Sequence, residues 1–173
     1  MDQIHEIIEQ LRKKDYSSFD TFYELTKKQV FFAIVSIIKD QDLTEDLMQD
    51  TYVKFLEKID QYRPNENPYA YLSRIGRNLA INSYNRRKKE VVSEEIFETI
   101  PSLETVSDKE DDQDILKILD LLDLDEREVV TLHVINDLKF REIAESMNKP
   151  LGTVLWIYNK AIKRLKKEIG DVL

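Results

Sequence analysis

The sequence predicts an all-α protein with two small helical domains joined by an acidic linker. Only 3 glycines and 4 prolines occur in 173 residues, fewer than the frequent turns of a β-rich protein require. Apolar side chains recur at the three- and four-residue spacing of amphipathic helices along much of the chain. The net charge of −8 is confined to residues 91–114, and the segments on either side are each neutral. This pattern predicts domains at 1–90 and 115–173.

The linker is defined by its composition. Residues 91–114 contain nine acidic residues and one lysine, together with Pro101 and clusters of serine, threonine and aspartate. An acidic loop within a single domain is the alternative interpretation. In both cases the charge lies away from the candidate binding surfaces, so the overall acidity does not argue against nucleic-acid binding.

The composition argues against several classes of function. There is no cysteine, and His5 and His133 are far apart, so neither a metal nor another cofactor is expected. We find no glycine-rich phosphate loop and no pairing of a nucleophile with a base, so an enzyme is not expected. The longest apolar stretch, 30–38, is interrupted only by Ser36 and has nine residues, about half of a membrane span. With a polar N-terminus, these features predict a soluble, cytoplasmic protein.

Three helices are predicted in the first domain. One has Ser17 or Ser18 as its N-cap and an apolar face of Phe19, Phe22, Tyr23, Thr26, Val30, Ala33, Ile34 and Ile37. The next runs from about Leu43 to Ile59, and its core face consists of Leu47, Met48, Thr51, Phe55 and Ile59. Its other face shows an acidic stripe of Glu45, Asp46, Gln49 and Asp50. The stripe fits either a docking surface or acids that favour the helix dipole.

The third predicted helix, from Pro68 to about Lys88, is the most informative element of the chain. Residues 67–89 contain six bases and three tyrosines but no acid. One helical face is apolar, and the opposite face carries Arg74, Arg77, Asn78 and Asn85, with Tyr71 and Asn82 along its edge. Bases interleaved with aromatic rings indicate a surface for single-stranded or melted nucleic acid. A solvated basic surface is the alternative, although ordinary helix surfaces mix both signs of charge.

The second domain has the pattern of a helix-turn-helix. A helix begins near Ile115, and Asp125 and Glu128 have the spacing of a capping box for the next one. A short helix over 140–147, a turn at 148–150 and a longer helix from about Gly152 to Ile169 follow.

The last of these helices is expected to display a basic face. Residues 149–167 contain six bases and no acid. The helical wheel directs Val154, Tyr158, Ala161, Leu165 and Ile169 inward, and Thr153, Trp156, Lys160, Lys163, Arg164 and Lys167 outward. The outward set fits the major groove of duplex DNA, and a bundle with a basic surface is the alternative.

Several segments, in order, resemble the extracytoplasmic-function (ECF) group of bacterial RNA polymerase sigma factors. Residues 44–55, TEDLMQDTYVKF, are similar to the family's core-polymerase-binding helix, and 69–82, YAYLSRIGRNLAIN, to its promoter-melting helix. Residues 142–144 and 151–154 are similar to its helix-turn-helix. Members carry the second and fourth conserved sigma domains, which the resemblance places at 1–90 and 115–173.

The resemblance implies a role for each surface. Asp46, Gln49 and Asp50 would bind the β′ coiled coil of the polymerase core, and the core's β flap would be a further contact. The −10 promoter element would be held, with one base flipped into a pocket beside loop 62–67, by Tyr71, Arg74, Arg77, Asn78, Asn82, Arg86, Arg87, Lys88 and Lys89. The −35 element would be read by Lys149, Thr153, Trp156, Lys160 and Arg164. An anti-sigma factor is a further candidate partner.

The expected function is therefore that of a sigma factor, which directs core polymerase to specific promoters and aids their melting. The alternative is a helix-turn-helix regulator that binds duplex DNA without polymerase. The sequence departs from the family at three places: Tyr71 replaces the usual Trp, Asn82 the usual Asp, and Leu155-Trp156-Ile157 the usual Lys-Ser-Arg.

Overall fold

The computed structural model describes residues 2–93 and 110–170, and over these residues the fold is all-α, as predicted. Eight α-helices occur in these ranges, and no strand does. The helices are α1 (Asp2–Arg12), α2 (Phe19–Val35), α3 (Gln41–Glu57), α4 (Pro68–Ser93), α5 (Glu110–Asp120), α6 (Leu124–Val130), α7 (Phe140–Met147) and α8 (Leu151–Ile169). A 3₁₀ turn (Ile59–Gln61) follows α3, and a π-helical turn (Thr131–Ile135) follows α6. No helix within these ranges has the length and apolar character needed to cross a membrane.

The boundaries of α3 and α6 differ from the predicted ones for local reasons. α3 begins two residues earlier than predicted because the Asp40 carboxylate accepts the Leu43 backbone N–H at 2.9 Å and caps the helix. It ends before Ile59, where the chain tightens into the 3₁₀ turn. α6 begins at Leu124, and its capping residues are Asp123 and Glu126, so the predicted box of Asp125 and Glu128 is wrong. The Glu126 carboxylate accepts the Asp123 backbone N–H at 3.1 Å.

The first core lies between α1, α2, α3 and α4. Phe22 of α2 stacks on Phe55 of α3 with ring centroids 5.1 Å apart, and both side chains are fully buried. Tyr52 packs its ring edge-on against Phe22, and its hydroxyl hydrogen-bonds Thr26 at 2.8 Å. Burial raises the pKa of Tyr52, which keeps the phenol neutral in this core. The core thereby fixes α3 and α4, which carry the predicted docking and DNA-binding surfaces.

The helix-turn-helix is formed by α7 and α8. Asn148 ends α7 in a left-handed conformation, with φ of 51°, and the Lys149 backbone N–H then donates to the Ala144 carbonyl at 3.0 Å. α8 packs through Val154, Ile157, Ala161 and Leu165, which are all buried. The inward and outward faces predicted for this helix are therefore largely correct, with Ile157 as an additional core residue.

The two domains pack against each other and share apolar cores. Phe32 and Val35 of α2 are buried among Leu116, Leu119, Leu122, Val130, Ala161 and Leu165 of the second domain. Ala33 and Ala70 join a second shared cluster with Val129, Leu132, Leu138 and Ile143. α2 is thus covered on both sides, which explains why its apolar run extends around the whole helix.

Part of the predicted linker is helical. Residues 91–93 belong to the end of α4, and residues 110–114 form the start of α5. The rest of the predicted linker, 94–109, lies outside the described residues.

Candidate polymerase and nucleic-acid interfaces

The acidic stripe lies on the solvent face of α3. Asp46, Gln49 and Asp50 are exposed, whereas Leu47, Met48 and Thr51 between them are buried. Within the described part of the chain, neither Asp46 nor Asp50 forms an ion pair. The stripe therefore has the geometry of a docking surface with its carboxylates available, and its role in binding polymerase stays a prediction.

Tyr71 lies in the core and not on the exposed edge of α4 that the helical wheel predicts. Only 7% of it is exposed, and its ring packs edge-on against Phe55 and Tyr62 at centroid distances of 6.0 and 5.4 Å. Burial also raises the pKa of its hydroxyl. Tyr71 therefore supports Arg74, whose guanidinium lies 5.3 Å from the Tyr71 ring centroid, and offers little free surface for stacking on a base.

A cavity opens beside α4 at the loop 62–67. Its volume is about 780 Å³, and its lining includes Arg63, Asn65, Tyr71, Arg74, Asn78 and Glu145. Arg74 is oriented there by an ion pair with Glu66 at 2.9 Å. Amide, cationic and aromatic groups surround a space large enough for a nucleobase, which fits the predicted base pocket. Glu145 belongs to α7, so the second domain forms one wall of this cavity.

Arg77 faces the second domain and not solvent. Its Nε donates to the Glu128 carboxylate at 2.7 Å, and its Nη1 donates to the Ser146 carbonyl at 3.2 Å. Only 13% of the Arg77 side chain and 2% of the Glu128 side chain are exposed. In this arrangement the second domain covers most of the Arg77 side chain, contrary to the exposed position expected for it from the helical wheel.

The remaining predicted −10 residues line the solvent-facing part of α4. The exposed members are Asn78, Asn82, Arg86, Arg87, Lys88 and Lys89. Arg87 pairs with Asp40 at 3.2 Å, and the Asp40 pKa is lowered, first by the Leu43 backbone N–H and also by Arg87.

The outer face of α8 combines an exposed tryptophan with paired cations. Trp156 is 62% exposed, and the Lys160 ammonium lies 5.4 Å from the Trp156 ring centroid. Thr153 is also exposed. The predicted exposure of Trp156 is confirmed, and its contact with DNA stays a prediction.

Acidic residues that the sequence analysis did not assign to the site surround the predicted −35 residues. Arg164 makes a two-pronged ion pair with Asp123 at 2.9 and 3.2 Å. The hydrogen bond from Arg164 lowers the pKa of Asp123. Lys160 approaches Glu126 at 3.4 Å, and Lys149 approaches Asp125 at 3.5 Å. The sequence feature that could have predicted these ion pairs is the segment 123–126, DLDE. A cluster of acids in a domain without net charge implies that basic side chains lie close to it.

No cluster of histidine, aspartate and glutamate suited to a metal ion occurs in the described ranges. The arrangement is that of binding surfaces: an exposed acidic stripe, a basic helix with a polar cavity, and a helix-turn-helix.

Two conserved regions match the chain in the same order as these surfaces. Residues 22–90 match Sigma-70 region 2, and residues 112–165 match Sigma-70, region 4. The chain belongs to the ECF RNA polymerase sigma factors. The region 2 match contains the acidic stripe and most of α4, and the region 4 match contains the helix-turn-helix.

Curated relatives and solved structures agree with this membership. The chain is 24% identical over 185 residues to the ECF RNA polymerase sigma factor SigW of Bacillus subtilis, covering 95% of this chain and 96% of SigW. It is 26% identical over 162 residues to the ECF RNA polymerase sigma-E factor of Escherichia coli, covering 86% and 84%. The fold is similar to that of the sigma factor RpoE of Bartonella quintana, solved with the anti-sigma factor NepR. That likeness has a TM-score of 0.75 at 24% identity and covers 90% of this chain and 99% of the other.

Proposed function

We propose that this ECF sigma factor directs core RNA polymerase to specific promoters and aids their melting at the start of transcription. The observation that carries the proposal is the combination, on one chain, of the exposed acidic stripe, the basic helix beside a nucleobase-sized cavity and the helix-turn-helix. The protein has no catalysis of its own, and it acts in the cytoplasm.

Each surface binds a different partner: the polymerase core, the −10 element or the −35 element. Asp46, Gln49 and Asp50 dock on the β′ coiled coil of the core, and the second domain contacts the β flap. α4 binds the −10 element through Arg74, Arg77, Asn78, Asn82 and the basic segment 86–89, with Tyr71 beneath Arg74 as the ring that positions it. α8 reads the −35 element through Lys149, Thr153, Trp156, Lys160 and Arg164.

A helix-turn-helix regulator that acts without polymerase is the weaker alternative. Such a protein has no need of an additional domain that carries an acidic, solvent-facing docking stripe. Both conserved regions of a sigma factor are also present, which disfavours this alternative. An anti-sigma factor is a candidate partner, because the sigma factor RpoE of Bartonella quintana, which has a similar fold, was solved in complex with the anti-sigma factor NepR.

The docking role is tested by reversing the charges of Asp46 and Asp50 to lysine and measuring co-purification with core polymerase. We expect binding to be lost, because a cationic surface replaces the acidic one, while the helical content stays unchanged. A matched control reverses Glu57 and Asp60, which are also exposed but lie outside the stripe. Retained binding by the stripe variant, or equal loss in the control, would exclude this docking site.

A further inference from the structure

Helix α1 contacts the loop that borders the predicted base pocket, 62–67, at two points. At the start of this loop, Nη2 of Arg12 donates a hydrogen bond to the Tyr62 carbonyl at 2.8 Å. The Tyr62 side chain then spans the loop, because its hydroxyl donates to the Glu66 carbonyl at 2.7 Å. The same hydroxyl lies 3.0 Å from Nε2 of His5. Arg12 therefore holds the backbone of the loop, and His5 lies against the hydroxyl that ties its two ends together.

The hydrogen bonds of Tyr62 determine the role of His5. A phenol has a single hydrogen to donate, and a carbonyl oxygen can only accept, so this hydrogen is directed to the Glu66 carbonyl. The His5 ring must then donate its Nε2–H to the Tyr62 oxygen. Tyr62 is buried, and burial raises its pKa to about 12, which keeps the phenol protonated at neutral pH. His5 thereby fixes the orientation of the hydroxyl that holds the end of the loop.

The chain of contacts continues from the loop into the cavity beside α4. The Glu66 carboxylate pairs with Arg74 at 2.9 Å, and both residues line this cavity. The Glu66 backbone N–H also donates to the Arg63 carbonyl at 2.9 Å, which closes the loop on itself. Contacts therefore run without a break from His5 on α1 to Arg74 in the wall of the cavity.

Helix α1 is a fixed support for these contacts. Its apolar side chains are buried in the first core: Ile4, Ile7, Ile8 and Leu11. The helix precedes residues 22–90, which match Sigma-70 region 2, so the matched region alone does not contain this support. The position of the pocket loop thus depends on a part of the chain that the conserved region does not include.

We propose that His5 is a positioning residue that helps to determine which base the cavity accepts. In this role His5 touches no base. It holds the Tyr62 hydroxyl, and that hydroxyl holds Glu66, whose carboxylate orients Arg74. A pocket that selects a base by hydrogen bonds depends on where its donors and acceptors lie, so a displaced loop should weaken the selection. This inference rests on the proposed function and concerns the specificity of the same site.

The test measures base preference in holoenzymes that carry variants of α1. Cognate core polymerase is reconstituted with each chain and transcribes a DNA library whose −10 and −35 regions are both randomised. Sequencing of the transcribed templates gives the preference at every position. H5L removes the donor and keeps an apolar side chain of similar bulk, whereas H5Q places an amide N–H near the position of Nε2. Q3L is the matched control, since Gln3 is exposed on the opposite side of α1.

We expect H5L to reduce the preference at one −10 position by about threefold to tenfold, the effect of losing one hydrogen bond. The preferences at −35 should stay those of the parent, which a general loss of folded protein would not produce. H5Q should restore the −10 preference, and Q3L should not alter it. Parental −10 preferences in H5L, or a parent holoenzyme without any −10 preference, would overturn the proposal.

The variant Y62F keeps the proposal testable if H5L does not fold, because it leaves α1 unchanged and removes only the hydroxyl. It should weaken the same −10 position. If H5L folds, H5L/Y62F should lose no more preference than either single variant, since all three break one chain of contacts. Additive losses, or an unchanged preference in Y62F, would contradict the role of His5.

A measurement on the free chain tests the positioning step without polymerase. The Glu66 amide hydrogen, which is bonded to the Arg63 carbonyl, should exchange with solvent several-fold faster in H5L than in H5Q or Q3L. Equal exchange in all three would overturn the positioning role. If the parent holoenzyme initiates at selected promoters but H5L keeps the parental preferences, the inference is wrong and the proposed function stands. If the parent chain supports no promoter-dependent transcription, the proposed function fails and the inference fails with it.

Discussion

Arg77 of α4 and Glu128 of α6 are 51 residues apart in sequence and meet at 2.7 Å at the boundary between the two domains. This relationship accounts for part of the surplus of bases in residues 67–89. Their counter-charges come from outside this segment: Glu128 for Arg77, Glu66 for Arg74 and Asp40 for Arg87. Three of the six bases are therefore paired with acids that lie elsewhere in the chain.

We expect Glu128 to titrate above its ordinary pKa of 4.5. Burial disfavours its charged form and is the largest influence, and the attraction of Arg77 offsets only part of it. The folded state therefore binds the Glu128 proton more tightly than the unfolded state does. The contribution of this proton to the free energy of unfolding is complete below pH 4.5 and is lost as pH rises through the folded-state pKa of Glu128. Carboxyl-detected NMR measures this pKa directly. R77A should raise it further, and a value below 4.5 in the parent chain would show that Arg77 outweighs burial.

The helices were predictable because their signals are local. The acid-free segment and its apolar face predicted α4, and the wheel for α8 placed Trp156 outside and Val154 inside, as observed. α1 was missed although Ile4, Ile7, Ile8 and Leu11 have helical spacing, and all four are buried in the structure.

The contacts between domains were not predictable in the same way. Pairs such as Arg77 with Glu128, or Lys39 with Asp120, join residues that no local pattern connects. One feature of the sequence did indicate contact between the domains. The apolar stretch 30–38 is too continuous for a helix that exposes one face to solvent. Within this stretch, Phe32 and Val35 contact the second domain. The sequence therefore predicted the surfaces, whereas the way in which each domain covers part of the other depends on tertiary packing.

Two glycines in helices should respond oppositely to alanine. In G76A the added Cβ would lie 3.2 Å from Ile34 Cγ1 and 3.3 Å from Thr51 Oγ1, and both neighbours are fully buried. We expect the free energy of unfolding to fall by about 1–3 kcal/mol, since crowding exceeds the gain in helix propensity. In G152A nothing lies within 4 Å, so an increase of up to about 1 kcal/mol is expected. Urea denaturation measures both, and a stabilised G76A would contradict the close packing of α4.

Arg127 should be required for stability as an arginine, not only as a cation. Its buried guanidinium donates to the Ser36 carbonyl of the first domain and to the Leu122 carbonyl of the second. Lysine has a single ammonium group and cannot donate to both carbonyls with the geometry of a planar guanidinium. R127K should therefore lower the free energy of unfolding by about 1–3 kcal/mol. R141K, at an exposed position, serves as the matched control and should change it by less than about 0.5 kcal/mol. Equal denaturation midpoints for the two variants would show that the two hydrogen bonds of Arg127 contribute little to stability.

Trp156 and Ile157 are adjacent on α8 but should have opposite roles. Trp156 is 62% exposed and Ile157 is 5% exposed, so W156A should change the free energy of unfolding by less than about 0.5 kcal/mol and I157A should lower it by about 2–5 kcal/mol. As the single tryptophan of the chain, Trp156 reports its own environment. Its emission should be that of a solvated indole, and a −35 duplex should shift it and protect it from collisional quenchers, since the ring can contact thymine methyl groups. If the emission is blue-shifted and insensitive to DNA, Trp156 is already packed, and the proposed −35 contacts must be reassigned to Lys149, Thr153 and Lys160.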